Sequence, residues 1–266
     1  MNIYLKELKN YRMALIFWSL GVIGYLLAAM SKFQGYDRSG TSINEIFDSL
    51  PGGLRTFFGV NTLDLQTAGG FFAAIAILYL SVMLGVHAVL LGSGIIAKEE
   101  TDKTIEFLFA KPVSRNRVLF SKLLAALTII VALNIVTLVS SVITVAAFNE
   151  GPSISGDIAF LMPATFFIQL FFLIVGASFA AVMRRSKRAG MLSAALLLAT
   201  FIISAFVDIT DKYGFLKYTT PFQYFDSKKI FSEGRYNITY IIITVAIVTV
   251  LFVVSKIAYK NKDFYV

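Results

Sequence analysis

The stretch that decides the fold is Lys98–Lys122, KEETDKTIEFLFAKPVSRNRVLFSK, a charged segment between two long apolar runs. Charged side chains are costly in hydrocarbon, so this segment is expected in water at a membrane face. Another protein can reach it there. The sequence therefore predicts that the flanking runs cross a membrane and that the segment between them is open to a partner.

The composition is that of a membrane protein. The chain is 57% hydrophobic and 15% charged, with a mean hydropathy of +0.75, whereas soluble domains carry about 25% charged residues. Because a backbone in lipid must satisfy its own hydrogen bonds and the runs lack strand-like alternation, we expect helices. The prediction is a single all-α membrane domain, residues 1–266, whose six spans are Met13–Met30, Gly70–Ala97, Leu123–Phe148, Ile158–Met183, Ala189–Val207 and Ile238–Ser255.

The basic residues predict the orientation. With six spans, both termini lie on one side, and 16 of the 24 Lys and Arg residues fall in the segments on that side. Segments rich in Lys and Arg stay in the cytoplasm. We therefore expect a multi-pass protein of the plasma or inner membrane with both termini cytoplasmic. The net charge of +8 then indicates attraction to anionic membrane lipid, and no nucleic-acid partner is expected.

Three further segments outside the spans are predicted to be short helices or turns. Met1–Arg12 is amphipathic and predicts a helix lying on the inner membrane surface. Leu50–Val60 mixes turn residues with apolar ones and is expected to fold back onto the membrane surface. Asp208–Asn237 is rich in aromatic residues and predicts short outer re-entrant or interfacial helices before span six, broken at Pro221 and Gly234.

The inner charged segment predicts a short helix over Thr101–Lys111. Its apolar face consists of Ile105, Leu108 and Phe109, at helical spacing. Pro112 is expected to stop this helix, and Ser114 to cap the next one. The residues alone leave two interpretations equally open: a peg that docks on another protein, or a solvated connecting loop.

A family resemblance favours the docking peg. Glu99-Glu100, Thr104-Ile105-Glu106, Leu108 and Pro112-Val113-Ser114-Arg115 resemble the signature of ABC-2 type transporter permeases. Pro221-Phe222-Gln223-Tyr224-Phe225 and the six-span layout are also similar to that family. Lys103 departs from the pattern, since many members have Gly there, and this leaves the start of the peg undecided.

The resemblance implies a function and a set of contacts. The short helix would be a cytoplasmic coupling helix between spans two and three that docks on a separate ABC ATP-binding subunit. Two permeases, as identical or paralogous copies, and two ATPases would export a hydrophobic or amphipathic compound. The compound would move at the interface of the two permeases, lined by spans one, two and five. The residues expected to contact the ATPase subunit are Glu99, Glu100, Thr104, Ile105, Glu106, Leu108, Phe109, Pro112 and Arg115. The glutamates are expected to pair with cations of that subunit or with Arg115 and Arg117.

The sequence lacks the motif of an ATPase. No G-x-x-x-x-G-K-[ST] phosphate loop occurs in it, so ATP and Mg²⁺ are expected in the partner subunit and no catalytic site or cofactor in this chain. The chain also has no cysteine and one histidine. No metal site is expected, and an intramembrane protease or phosphatase is disfavoured because converging catalytic groups are lacking.

An ion- or proton-coupled carrier is the main alternative. Carriers usually place charged groups inside the bilayer, and the predicted spans hold such groups only at their flanks. The polar candidates within the spans are His87, Asn134 and Gln169, for which we predict packing and interhelical hydrogen bonds, with contact to a transported molecule as the other interpretation. Small residues in spans two and four, among them Gly92 and Gly176, permit close helix packing.

Overall fold

The computed structural model describes residues 2–39, 42–106, 113–184 and 186–262, and all regular structure in those ranges is helical. Six helices are long and apolar enough to cross a membrane, which confirms the six-span prediction. They are α1 (Ile3–Ser39), α4 (Ala68–Thr101), α5 (Arg115–Phe148), α6 (Ser155–Val182), α7 (Ala189–Ile209) and α10 (Ile238–Asn261). Shorter helices α2 (Ile43–Asp48), α3 (Gly52–Phe58), α8 (Pro221–Tyr224) and α9 (Ser227–Glu233) lie between them.

The first helix differs from the prediction in one respect. The amphipathic N-terminal segment is helical, but it is continuous with the first span and forms no separate interfacial helix. The reason is that no Pro or Gly occurs before Gly21 to end the helix. Glu7 and Lys262, near the two ends of the described chain, contact the ends of other spans on one side of the bundle. We call this side the inner end and the opposite side the outer end.

Helices α4 and α6 form the centre of the bundle. In the most apolar 18-residue stretch of each helix, 61% is buried, whereas the corresponding stretch of α10 is 11% buried. The two helices touch through glycines: a Cβ added to Gly92 would lie 2.1 Å from the Leu173 carbonyl oxygen, and one added to Gly176 would lie 2.3 Å from that of Val89. The predicted close packing of spans two and four is thus confirmed, and glycine is required at both positions.

The outer part of α4 contains a widened π-helical turn, Phe72–Ala76. Its carbonyl groups accept hydrogen bonds from other elements: Tyr25 in α1 donates to Ala76 at 3.2 Å, and Ser227 in α9 donates to Ala73 at 2.5 Å. Such turns are rare and interrupt the regular pattern of backbone hydrogen bonds in the helix. The hydroxyl groups of Tyr25 and Ser227 supply hydrogen bonds to the carbonyl oxygens of this turn. The sequence pattern of α4 gave no sign of this turn.

The segment before α10 forms short helices, as predicted, with Pro221 at the start of α8 and Gly234 in the left-handed conformation at the end of α9. Its two halves differ in burial. Tyr213, Phe215 and Tyr218 are exposed, as expected for an interfacial segment. Residues 221–228 are all buried against the bundle, however, where Lys228 pairs with Asp208 at 2.9 Å and holds this segment to the end of α7.

The loop after α1 folds back onto the bundle, and its contact with a membrane surface stays a prediction. Helix α3 ends at Gly59, which has a φ of 76°, and Gly53 packs on the backbone of Ile209 at the outer end of α7. The outer ends of the spans are therefore covered by α3, α8 and α9.

Candidate coupling site at the inner end

The inner end of α4 stops in a tight turn. Asp102 caps the helix, Lys103 has a φ of 55°, and the N–H of Thr104 donates to the Glu99 carbonyl oxygen at 2.8 Å. This arrangement is a Schellman motif, whose left-handed position favours glycine. The motif explains why glycine is common at this position in the sequence pattern. In this chain, Lys103 occupies a backbone conformation that glycine adopts at less cost.

Most of the segment predicted to be the coupling helix lies outside the described residues. Thr101 belongs to α4, and helical conformation resumes at Ile105 and Glu106, so the start lies after the turn and later than predicted. Thr104 and Glu106 are exposed, whereas Ile105 is buried. Leu108, Phe109 and Pro112 lie outside the described residues. Ser114 caps α5 as predicted, accepting the Arg117 N–H at 3.3 Å.

Glu99 lies in a buried ion cluster that joins three spans. It pairs with Lys122 of α5, which also donates to the Ile95 carbonyl oxygen. Glu7 of α1 lies 3.8 Å from the Lys122 ammonium nitrogen. The side chains of Lys122 and Glu7 are 0% and 1% exposed, so water does not screen these charges.

Glu100, about 100° further round α4 than Glu99, forms a second ion cluster. Its carboxylate pairs with Lys262 at 2.9 Å and accepts the Ser186 hydroxyl at 2.7 Å. Lys262 also donates to the Ala180 carbonyl oxygen at 2.9 Å. This cluster ties α4 to α6, to the α6–α7 connection and to the residue that follows α10.

We call these groups together the charge clasp: Glu7, Lys98, Glu99, Glu100, Lys122, Ser186 and Lys262. Arg115 is next to it and donates to the carbonyl oxygens of Lys260 and Lys262, at 3.1 and 2.6 Å. The clasp joins α1, α4, α5, α6 and the end of α10 immediately before the turn at Lys103.

The clasp changes how the predicted contact residues are interpreted. Glu99, Glu100 and Arg115 bind partners within the chain. The cations bound to Glu99 and Glu100 are Lys122 and Lys262, where Arg115 and Arg117 were expected. Their contact with an ATPase subunit stays a prediction. Glu7 was missed, although a signal was available: it is an acidic residue on the same helical face as Tyr4, Leu8 and Tyr11.

A cavity of about 740 Å³ opens beside the clasp, between α1, α4 and the start of α7. We call it the inner cavity. Its wall mixes aromatic, small and charged residues, among them Tyr11, Gly94, Lys98, Asp102 and Gly190. Lys98 and Ser186 line the cavity and also belong to the clasp, so the two features share structure. This volume is within the range of ligand pockets.

The polar residues within the spans are engaged in packing. Asn134 donates to Gln169, Thr165 donates to Asn134 at 3.1 Å, and Gln169 donates to the Leu84 carbonyl oxygen at 3.4 Å. These are the interhelical hydrogen bonds that the sequence predicted, linking α4, α5 and α6. His87 is buried edge-on against Trp18, with ring centroids 5.1 Å apart, and its Nδ1 has no hydrogen-bond partner among the described residues.

A sequence comparison gives the family. The sequence profile of the ABC-2 family transporter proteins matches residues 1–264, nearly the whole chain. The chain belongs to the ABC-2 transporter family. The resemblance seen in the inner segment therefore extends over all six spans, and this ABC-2 protein is a multi-pass membrane protein of a transport family. Among curated proteins, none matches the sequence significantly.

Proposed function

We propose that this ABC-2 protein is the permease subunit of an ATP-driven exporter for a hydrophobic or amphipathic compound. Family membership supports the transport role. The sequence contains no phosphate loop, which supports a division of labour in which a separate ATP-binding subunit hydrolyses ATP. The working unit is two permease chains, identical or paralogous, with two ATPases.

One observation carries the proposal: the inner cavity and the charge clasp share Lys98 and Ser186. The cavity lies between spans one, two and five, and the clasp lies directly before the predicted docking segment. A displacement of that segment is therefore transferred through the turn at Lys103 to the residues that line the cavity. ATP binding to the partner would bias the bundle toward one of two conformations in this way.

The cavity wall supports an amphipathic substrate. Leu90, Ala14 and the ring of Tyr11 provide apolar surface, while Asn10 and Asp102 provide polar groups. A compound with an apolar body and a polar or cationic end fits such a surface better than a small inorganic ion does.

We propose that the inner end faces the cytoplasm and that the protein resides in the plasma or inner membrane. The proposal follows from the excess of Lys and Arg in the segments at that end. A cytoplasmic inner end gives an ATPase access to Thr104 and Glu106, which are exposed.

The test is whether a soluble ABC ATPase co-purifies through the docking segment. We expect the double substitution Leu108→Ser and Phe109→Ser to lower ATPase co-purification at least tenfold, with Ile105, which is buried within the chain, left unchanged. The matched control replaces two exposed aromatic residues at the outer end, Tyr213→Ser and Phe215→Ser, and should retain the ATPase. Equal retention by both variants would contradict the docking assignment.

A secondary carrier is the second candidate, and one observation favours it: Glu7, Glu99 and Lys122 are buried ionisable groups. Vesicles that contain this chain alone separate the two functions. The ABC assignment predicts no accumulation under an imposed pH or sodium gradient, whereas a carrier would accumulate its solute without any ATPase.

A further inference from the structure

An apolar groove runs along the bundle between α5, α6 and α10. It has a volume of about 360 Å³ and shares no residue with the inner cavity. Its walls are almost entirely hydrocarbon, and they include Phe120, Leu124, Leu127, Leu173, Val248 and Phe252. All three helices are membrane spans, and the groove residues Phe120 and Leu124 are exposed, so the groove is open at the side of the bundle.

Two cationic side chains lie at the inner end of this groove. Arg117 precedes Phe120 by three residues and Leu124 by seven, which places it on the groove face of α5. Lys256 follows Phe252 by four residues and Val248 by eight, on the groove face of α10. The groove therefore has a basic residue on each of two walls, about one helical turn beyond its apolar lining.

These two cations differ from two of the three lysines of the charge clasp. Lys122 and Lys262 are buried and paired with carboxylates. Arg117 and Lys256 are exposed, and their side chains form no ion pair or hydrogen bond among the residues that the structure describes. They are thus available to an anionic group outside the protein.

The dimensions agree with one leaflet of a bilayer. Arg117 and Leu127 are ten residues apart, which corresponds to about 15 Å along a helix. Half of a hydrocarbon core about 30 Å thick is also about 15 Å. A lipid whose headgroup contacts Arg117 would therefore lay its acyl chain along the full groove.

We propose that this groove is a binding site for an anionic phospholipid, with an acyl chain between α5, α6 and α10 and the phosphate between Arg117 and Lys256. Basic pockets between spans bind anionic headgroups through charge, and the apolar groove supplies the remaining contact. The charge complementarity favours lipid over a second protein chain, since an apolar helix face of another copy offers nothing to two cations.

The first experiment measures lipid retention. The full-length chain, with the subunits that co-purify, is titrated with phosphatidylglycerol and phosphatidylcholine of identical acyl chains and analysed by native mass spectrometry. We expect one tightly retained phosphatidylglycerol, preferred over phosphatidylcholine by about tenfold. Equal retention of the two lipids would overturn the proposal.

A matched pair of double variants localises the preference. Arg117→Gln with Lys256→Gln should abolish the preference for phosphatidylglycerol. Lys6→Gln with Lys9→Gln removes the same charge from exposed positions on α1, away from the groove, and should keep it. Loss of the preference in both variants, or in neither, would contradict binding at the groove.

A second pair tests the groove itself. Leu124→Trp fills the groove and should lower lipid retention several-fold, whereas Ile143→Trp, an exposed position far along the same helix, should not. Because the chain has no cysteine, the single variant Leu124→Cys also reports a second copy directly. Efficient disulfide-linked dimers of Leu124→Cys would show that another chain occupies the groove and would overturn the lipid assignment.

Discussion

The middle and the inner end of α4 are held to the bundle by different forces. In the middle, Gly92 and Gly176 bring the α4 and α6 backbones into direct contact without charged groups. At the inner end, Glu99 and Glu100 hold α4 through ion pairs with Lys122 and Lys262. The first contact is close-packed and the second is electrostatic.

This difference indicates how motion passes through the protein. Packed backbones resist displacement because every shift opens a void or creates an overlap. Buried ion pairs depend on geometry and surrounding charge, and a change in either alters their energy by several kcal/mol. We infer that the α4–α6 contact is a fixed point and that the charge clasp is the part that rearranges when a partner moves the docking segment.

The largest effect is expected from Lys122→Met. This change leaves the buried carboxylate of Glu99 without its cation and Glu7 with only the part-exposed Lys98, which costs about 3–5 kcal/mol. The measurement is unfolding in detergent or lipid. Lys98→Met is the control, because Lys98 is part-exposed and 4.0 Å from Glu7, so its loss costs at most about 1 kcal/mol. Similar losses in both variants would refute the importance of the buried pair.

The glycine contact is expected to give the next largest effect. Gly176→Ala places a methyl group on the Val89 carbonyl oxygen and should destabilise the protein by about 1–3 kcal/mol. Gly24→Ala is the matched control, since an added Cβ there meets nothing within 4 Å. Equal stability of the two variants would show that α4 and α6 separate without cost.

The turn after α4 offers a stabilising change. Lys103→Gly removes the cost of a non-glycine residue in the left-handed conformation, and it also makes the unfolded chain more flexible, which opposes part of the gain. The net result should be a rise of about 0.5–1 kcal/mol in the free energy of unfolding. Lys103→Ala keeps a Cβ and should give no gain. Position 103 is exposed, so comparing the thermal unfolding of the two variants isolates the contribution of the backbone conformation to stability. A gain in the alanine variant would point to charge instead of backbone strain.

The smallest effect is expected at His87. His87→Phe keeps the ring against Trp18 and removes a buried nitrogen that has no hydrogen-bond partner among the described residues, so stability should change by less than about 1 kcal/mol. Transport rates should stay within about twofold of the wild type. A transport-dead variant with normal stability would show that His87 acts on the substrate or on protons.

The sequence predicted the spans well because membrane thickness sets their length and lipid sets their composition. Ser114, Pro221 and Gly234 were identified for a similar reason, since caps and breaks depend on local chemistry. The partners of Glu99 and Glu100 depend on which helices meet, and a single sequence does not contain that information. The burial of α8 was missed for the same reason, because an aromatic segment is equally suited to a membrane interface and to a protein core.

The most direct test of the central claim is a distance measurement across the inner cavity during the ATP cycle. Spin labels at Asp102→Cys and Gly190→Cys, in this otherwise cysteine-free chain, report the distance between α4 and the start of α7. In the complex with its ATPase, the distance distribution should shift when ATP is bound, and Glu99→Gln should reduce that shift by at least half. An unchanged distance in the wild type, or the same shift in the Glu99→Gln variant, would contradict transmission through the charge clasp.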